Sequence, residues 1–329
     1  MTTPKISNKA YHAIPALSHS LIWAIKNEGI YPAFLDSAFN PNRVEPEDKD
    51  ALVQGQLYHI FLANPELAKD VYNGDAVLQE FPVCLKPEAK SPVYEPVKEL
   101  SVDDFTVVFV FDFGLKRTNQ KYIDIVAYLK QSGKWTDDAI VVNQAELDTA
   151  ATMIYTLTQL PVYQGLMQHE VVSREESIEF EYKGMKFKSK PDILLRTSEG
   201  KYIIVDGKTT RLTTREDMQK EGERMGYNLQ DVIHRHGVAA KYGVAVEDVS
   251  MVYLMQNKDP EYEGLICYAF TFEDASRTWA ETDIDIIADD FMKRYANSAA
   301  GTQKGAFVDI DTNIYPFAHW EPKLVERPA

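Results

Sequence analysis

Residues 175–210 constrain the fold more than any other stretch. They run Glu175-Glu-Ser-Ile-Glu-Phe-Glu-Tyr182, turn at Lys183-Gly184, and continue as Met185-Lys-Phe-Lys-Ser-Lys-Pro-Asp192-Ile-Leu-Leu-Arg196. They turn again at Ser198-Glu-Gly200 and finish as Lys201-Tyr-Ile-Ile-Val-Asp206-Gly-Lys208-Thr-Thr210. Apolar residues alternate at Ile178, Phe180 and Tyr182, at Met185 and Phe187, and at Tyr202 and Ile204. That is the period of half-buried strands, and the Gly-containing breaks are turn signals. The pattern predicts three short strands. Residues two apart share a strand face, so Asp206 and Lys208 point the same way, and Asp192 faces them from the preceding strand. Standing alone, Asp206 and Lys208 make a surface ion pair worth ~0–1 kcal/mol. Taken together, Asp192 and Asp206 offer the oxygen ligands that a hard cation such as Mg²⁺ prefers, with Lys208 placed to hold an attacking water.

Pro191-Asp192 followed by Asp206-Gly207-Lys208-Thr209-Thr210 resembles the PD-(D/E)XK nuclease signature. More narrowly, the chain resembles the RecE-type, exonuclease VIII-like exodeoxyribonucleases of phages and prophages. Gly55-Gln-Leu-Tyr-His59 with Pro65-Glu66 is similar to that branch's Gly-x-x-x-His helix, Glu175-Glu176-Ser177 to its Glu-x-Ser strand, and Tyr227-Asn-Leu-Gln230 to its Tyr-x-x-Gln helix. The resemblance implies an α/β fold with a mixed, mainly antiparallel central sheet flanked by helices. It implies one nuclease domain over residues 1–329: a helical part at about 1–70, a proline-rich connection with an extra strand at about 80–115, and a catalytic core at about 140–275.

It further implies hydrolysis of linear double-stranded DNA from its ends, 5′ to 3′, with Mg²⁺ as cofactor and Mn²⁺ as a substitute, leaving 3′ single strands for recombination. Asp192 and Asp206 would hold the ions, His59 and Glu175 would complete the second ion's shell, and the Gly207 carbonyl would reach the metal. Lys208 would position the nucleophile, and Gln230 and Tyr227 would orient Lys208 or the substrate strand. A ring-shaped homo-oligomer and a single-strand annealing partner are implied as well. Two departures stand out. Gly207 occupies a position where relatives carry a larger residue, and residues 301–307 lack the expected tryptophan. Two other readings of the same residues are a nuclease-fold binding or regulatory protein without catalysis, and a site-specific endonuclease.

Which acidic residue of Glu175, Glu176 and Glu179 joins the metal shell depends on strand register, because a one-residue slip exchanges the faces. Resemblance favours Glu175, although Glu176 shares its parity with the apolar face. His59 lies one turn after Gly55 on the inward stripe of a helix from about residue 47 to 63, where a histidine is ordinarily a core residue. A mid-helix glycine costs about 1 kcal/mol relative to alanine, so Gly55 is expected to admit a close approach. His234 and His236 diverge on their helix and are expected at the surface.

The net charge of −15 opposes nucleic-acid binding. Residues 181–224 carry 11 Lys+Arg against 8 Asp+Glu, a local +3 against −18 for the remainder. Two cysteines, Cys84 and Cys267, preclude the four-cysteine iron–sulfur cluster found in several RecB-like nucleases and fit a reducing, cytoplasmic setting. The N-terminus lacks a signal peptide's apolar core, and no run approaches the ~20 residues of a membrane span. Four prolines across residues 81–96 predict a loop or an extended connection. The β-branched and aromatic run at 105–113 predicts a strand of unassigned role. The segment at 116–120 reads equally as a helix start or a phosphate contact. Asn143-Gln-Ala-Glu146 is a capping box, a helix is expected at about 218–241 with a break between Gly222 and Gly226, and strands at about 249–255 and 265–272 complete the sheet.

Overall fold

The computed structural model describes residues 6–44, 50–84, 94–111 and 119–297. The expectations for residues 301–307, 116–118 and the first residues of the Gly55 helix fall outside them. The chain begins with α1 (Asn8–Ala13), α2 (His19–Glu28), α3 (Ile30–Asp36), α4 (Asp50–Ala63) and α5 (Pro65–Asn73). Ser18 caps α2, its side chain accepting from the Leu21 N–H.

A first sheet follows: β1 (Gln79–Cys84), β2 (Tyr94–Ser101), β3 (Val107–Phe111), then α6 (Gln120–Gln131) and β4 (Ile140–Asn143), in spatial order β1-β2-β3-β4. Here the structure corrects the sequence reading, since residues 79–84 and 94–101 are paired strands despite their prolines. Pro82 and Pro96 lie directly opposite each other in the antiparallel register. Such a pair fits at a non-hydrogen-bonded position, where neither residue donates to the other. β1 is an edge, and the pairing of β2 with β3 begins only at Lys98, so neither missing N–H breaks a ladder. The unassigned run becomes β3, whose five residues are all buried because both sheet faces are covered.

After α7 (Gln144–Gln159), capped by the Asn143–Glu146 box, come α8 (Pro161–Leu166), β5 (Glu170–Arg174), β6 (Ile178–Tyr182), β7 (Met185–Ser189), β8 (Ile193–Arg196) and β9 (Tyr202–Thr210). Then α9 (Arg215–Arg224), α10 (Tyr227–Tyr242), β10 (Val249–Asn257), β11 (Cys267–Phe270) and α11 (Asp274–Asn297) follow. The second sheet has the order β11-β10-β9-β8-β5. Only β9 and β10 run parallel, so it is mixed and mainly antiparallel as expected. Residues 175–210 hold four strands rather than three. Lys190-Pro191 interrupts the second, so β6 and β7 form a separate two-stranded ribbon and only β8 enters the sheet. The break between α9 and α10 falls at Gly226, whose φ of 67° is left-handed and suits glycine.

The layers follow from the two faces of each sheet. Val107, Phe109 and Phe111 pack with Ile125 and Leu129 of α6, whereas Val108 and Val110 face Leu57, Phe61, Leu147 and Ile154 of α4 and α7. The same α4–α7 layer covers Ile193, Leu195 and Val205 of the second sheet, and Ile204 and Met251 on its opposite face pack with Met218 and Val238 of α9 and α10. α4 and α7 are thus shared between the sheets. No described helix is long and apolar enough to cross a membrane.

Candidate active site

β9 is the middle strand of the second sheet, and its alternation delivers Asp206 and Lys208 to one face beside α4 and α10. The Lys208 Nζ lies 2.5 Å from Asp206 Oδ2. The Gln230 amide of α10 donates to Asp206 Oδ1 at 2.6 Å. Asp192, at the bend after Pro191, accepts the Gly207 N–H at 2.7 Å on Oδ2, and the same oxygen is 3.2 Å from His59 Nδ1 on α4. The Lys208 ammonium sits 5.1 Å above the Tyr227 ring, which stacks on Tyr253. Asp206 is 1% and Asp192 7% exposed, so both carboxylates are withdrawn from bulk water.

Glu175 occupies an uncommon backbone state for a non-glycine residue, with φ of 52°. Its N–H donates to the Asp192 carbonyl at 2.9 Å, and its carboxylate meets Lys190 at 2.6 Å. Among the described residues, His59, Glu175 and Asp192 bring one ligand atom each within 4.8 Å of one another. Glu176 instead meets Lys241 and accepts from the Tyr242 hydroxyl, and Glu179 is exposed on β6. The register that spacing left open therefore turns Glu175 inward. Asp206 stands outside the close trio, held by Lys208 and Gln230.

The electrostatics reflect crowded negative charge. Burial, opposed by Lys208 and reinforced by Asp192, pushes the Asp206 carboxyl up to about 6. Burial and Asp192 also raise Glu175. Asp192 goes the other way: burial disfavours its charge, but His59, Lys208 and the Gly207 N–H hold it well below the usual carboxylate range. Burial disfavours a charged His59, yet Asp192 beside it raises its pKa to about 9. Lys208 is desolvated but held well above its ordinary value by Asp206 and Asp192.

Two expectations are corrected. His234 is buried rather than at the surface, its Nε2 lying 3.3 Å from the Gln230 amide nitrogen, and burial pushes its pKa down to about 3. A histidine four residues after Gln230 shares that residue's helix face, which is the signal that could have found it. Gly55 admits no close neighbour: a Cβ there would meet nothing within 4 Å, and the residue opens on the cavity. The close approach occurs at Gly207, where a Cβ would stand 2.6 Å from Leu62 Cδ2 and 2.8 Å from Tyr58 Cε1. A larger residue there would have to displace the Leu62 and Tyr58 side chains, because α4 lies directly against β9.

His59, Glu175, Lys190, Asp192, Asp206, Lys208 and Gln230 line one open cavity of 1340 Å³. Its other walls come from Gly55 and Gln56 of α4, from the N-terminal residues Asn8, Lys9 and His12, and from Thr106, Trp135 and Asp138 beside the first sheet.

No protein-family model and no curated protein matches the chain. Among solved structures, it is similar to a "Putative exonuclease" from Eubacterium rectale, with a TM-score of 0.49 and 12% identity over 92% of this chain and 88% of that one. It is also similar to SSO0001, with a TM-score of 0.24 and 16% identity over 51% of this chain and 69% of that one. TM-scores below 0.5 at such identities establish neither topology nor activity.

Proposed function

We propose that the protein is a metal-dependent deoxyribonuclease of PD-(D/E)XK type, an exonuclease that degrades linear duplex DNA from its ends, 5′ to 3′, in the manner of the RecE-like enzymes. One observation carries the reading: two buried carboxylates from adjacent strands, an ammonium, an imidazole and a third carboxylate converge in one open cavity. A surface ion pair would not be buried, and packing alone gives no reason to gather three carboxylates around so few cations.

The residues fit a divalent cation of the Mg²⁺ or Mn²⁺ class. The donors are carboxylate oxygens with one imidazole, which suit hard cations. Burial first, and the neighbouring Asp192 carboxylate second, raise Asp206 and Glu175, and a bound cation would offset both costs. His59, Glu175, Asp192 and Asp206 would hold the ions, with the Gly207 carbonyl as a further oxygen. When bound, such ions make water a stronger acid at neutral pH and neutralise charge on the scissile phosphate.

The chain's own groups do the rest. Lys208 stays charged and has N–H donors left over for a phosphoryl oxygen or for the attacking water. Gln230 fixes the Asp206 rotamer, and the Tyr227 ring limits where the ammonium can go. Gly207 ties Asp192 to the strand that carries Asp206, so the two carboxylates move as one unit.

Asp206→Ala and Lys208→Ala are expected to abolish Mg²⁺-dependent digestion of linear duplex while leaving the circular dichroism spectrum unchanged. Covalently closed circles should be spared by the parent protein. Undiminished digestion by either variant rejects the assignment, nicking of the circle makes the protein an endonuclease, and binding without cleavage makes it a non-catalytic relative.

A further inference from the structure

The cavity has a cationic side that the catalytic residues do not use. Resting on the nuclease reading, we propose that Lys9, His12 and Arg43 form a phosphate subsite, which holds a backbone phosphate of the nucleic-acid strand whose neighbouring phosphodiester lies at Asp192 and Asp206. All three line the catalytic cavity.

The chain is acidic, and several of its surface cations are paired. Lys26, Lys121, Lys134, Lys183 and Lys220 each meet a carboxylate. Among the described residues, Lys9 and Arg43 do not. Among the described residues, the Arg43 guanidinium is tied through Nη1, which donates to the His12 carbonyl at 3.3 Å, while its buried Nε meets no acceptor. The acids closest along this wall are already engaged by the segment itself. Asp138 accepts from the backbone N–H groups of Asn8 and Lys9, at 2.7 and 3.2 Å, and Asp137 from the Ser7 hydroxyl. They fix α1 in place and retain their own negative charge beside it.

At the other end of α1, the buried Lys188 ammonium donates to the Tyr11 and Ile14 carbonyls, each at 2.9 Å. The shelf is therefore clamped at both ends before any ligand arrives, and a preorganised site loses little on binding. Lys190 connects it to the catalytic group, its ammonium reaching Asn8 Oδ1 and Glu175 Oε2, both at 2.6 Å. Burial, then Lys188, Arg43 and Lys190, bring the His12 pKa down to about 4. His12 is then a neutral N–H donor beside two permanent cations.

An anion is the complement of this surface. The carboxylate group next to it selects a ligand that also bears a metal-binding oxyanion, and a polynucleotide strand supplies both through successive phosphates. A cationic strip inside an acidic body also focuses a polyanion toward the cavity and away from the rest of the surface.

The test is binding of the full-length protein to a fluorescent linear duplex in chelator, so that hydrolysis does not intervene, across a range of salt. Lys9→Gln is expected to weaken binding several-fold and to lower the slope of log Kd against log salt by about 1, as the loss of one phosphate contact does. Arg43→Gln should act in the same direction, and Arg43→Lys should recover part of the loss. At saturating DNA with Mg²⁺, kcat should stay near that of the parent while KM rises, a split that a purely structural defect would not give. Duplexes with 5′-phosphate and 5′-hydroxyl ends tell a terminal from an internal phosphate, since only the former makes the loss depend on phosphorylation. Unchanged Kd and salt slope in Lys9→Gln, whose ammonium bonds no described residue, overturns the subsite even if Arg43→Gln is unstable. Weakened binding in Lys9→Gln together with no metal-dependent digestion by the parent protein would retain the subsite and discard the nuclease reading.

Discussion

Replacing Gly207 with alanine tests the contact that sets the site's depth. The new methyl would stand 2.6 Å from Leu62 Cδ2 and 2.8 Å from Tyr58 Cε1, whereas carbon atoms rest comfortably at about 3.5–4.0 Å. α4 must therefore retreat by roughly an ångström, but Leu57 and Phe61 of the same helix are wedged against α7 and the first sheet. Overpacking of this kind costs about 1–3 kcal/mol. Leu62→Ala alone creates a cavity and costs about 2–5 kcal/mol. The double variant should be more stable than the sum of the two predicts, because each change relieves the other, with a coupling of about 0.5–3 kcal/mol. The relief is partial, since Tyr58 remains. Urea unfolding at matched m-values measures all four corners of the cycle. Because His59 rides on α4, Gly207→Ala should also weaken Mn²⁺ binding, and the double variant should restore part of it. A Gly207→Ala protein within 0.5 kcal/mol of its parent, with additive effects, would refute the reasoning.

Other outcomes follow from the same geometry. In metal-free protein, the raised His59 pKa contributes stability that is complete below about 6.5 and is lost as pH rises through about 9. The raised Asp206 pKa acts in the same direction, its contribution fading between about 4 and 6. The Tm without metal should accordingly fall from pH 6.5 to 9, and His59→Gln should flatten that fall; a parent protein with a flat profile over this range contradicts the assignment. Since a metal must displace the His59 proton, added Mg²⁺ should raise the Tm more at pH 8 than at pH 6. Glu175→Gln is expected to weaken metal binding by calorimetry and Glu176→Gln to leave it intact; the reverse order would move the ligand to the other parity. Gly55→Ala adds a methyl that meets nothing in the protein and should stabilise α4 by about 0.5–1 kcal/mol in thermal melts.

The strand that carries Asp206 and Lys208 was legible because its signals are local. Tyr202 to Thr210 is bounded by turn residues, and the two-residue step from Asp206 to Lys208 fixes their common face without any knowledge of neighbours. The capping box at Asn143 and the break near Gly226 were legible for the same reason. What spacing could not supply was pairing. The alternation of Met185 and Phe187 reads straight through Lys190-Pro191 into Ile193, and only tertiary packing splits it into a ribbon strand and a sheet strand. Pro82 and Pro96 signal a loop by composition, yet a position opposite each other removes the objection to each. Gly55 and Gly207 illustrate the same limit at the site. Spacing suggested a close approach at Gly55, whereas it occurs at Gly207, because which glycine meets a neighbour depends on how α4 is laid against β9.

Lys188 reaches across 177 residues to the carbonyl of Tyr11, and Leu17 pairs with Phe187 over a similar span. During synthesis at about 5–20 residues per second, the first helix would leave the ribosome well before its anchors exist. The start of the chain is thus made early and fixed late. The cavity wall it supplies cannot be finished until the hairpin of β6 and β7 has closed, so the cavity would be completed abruptly, long after its first wall was made.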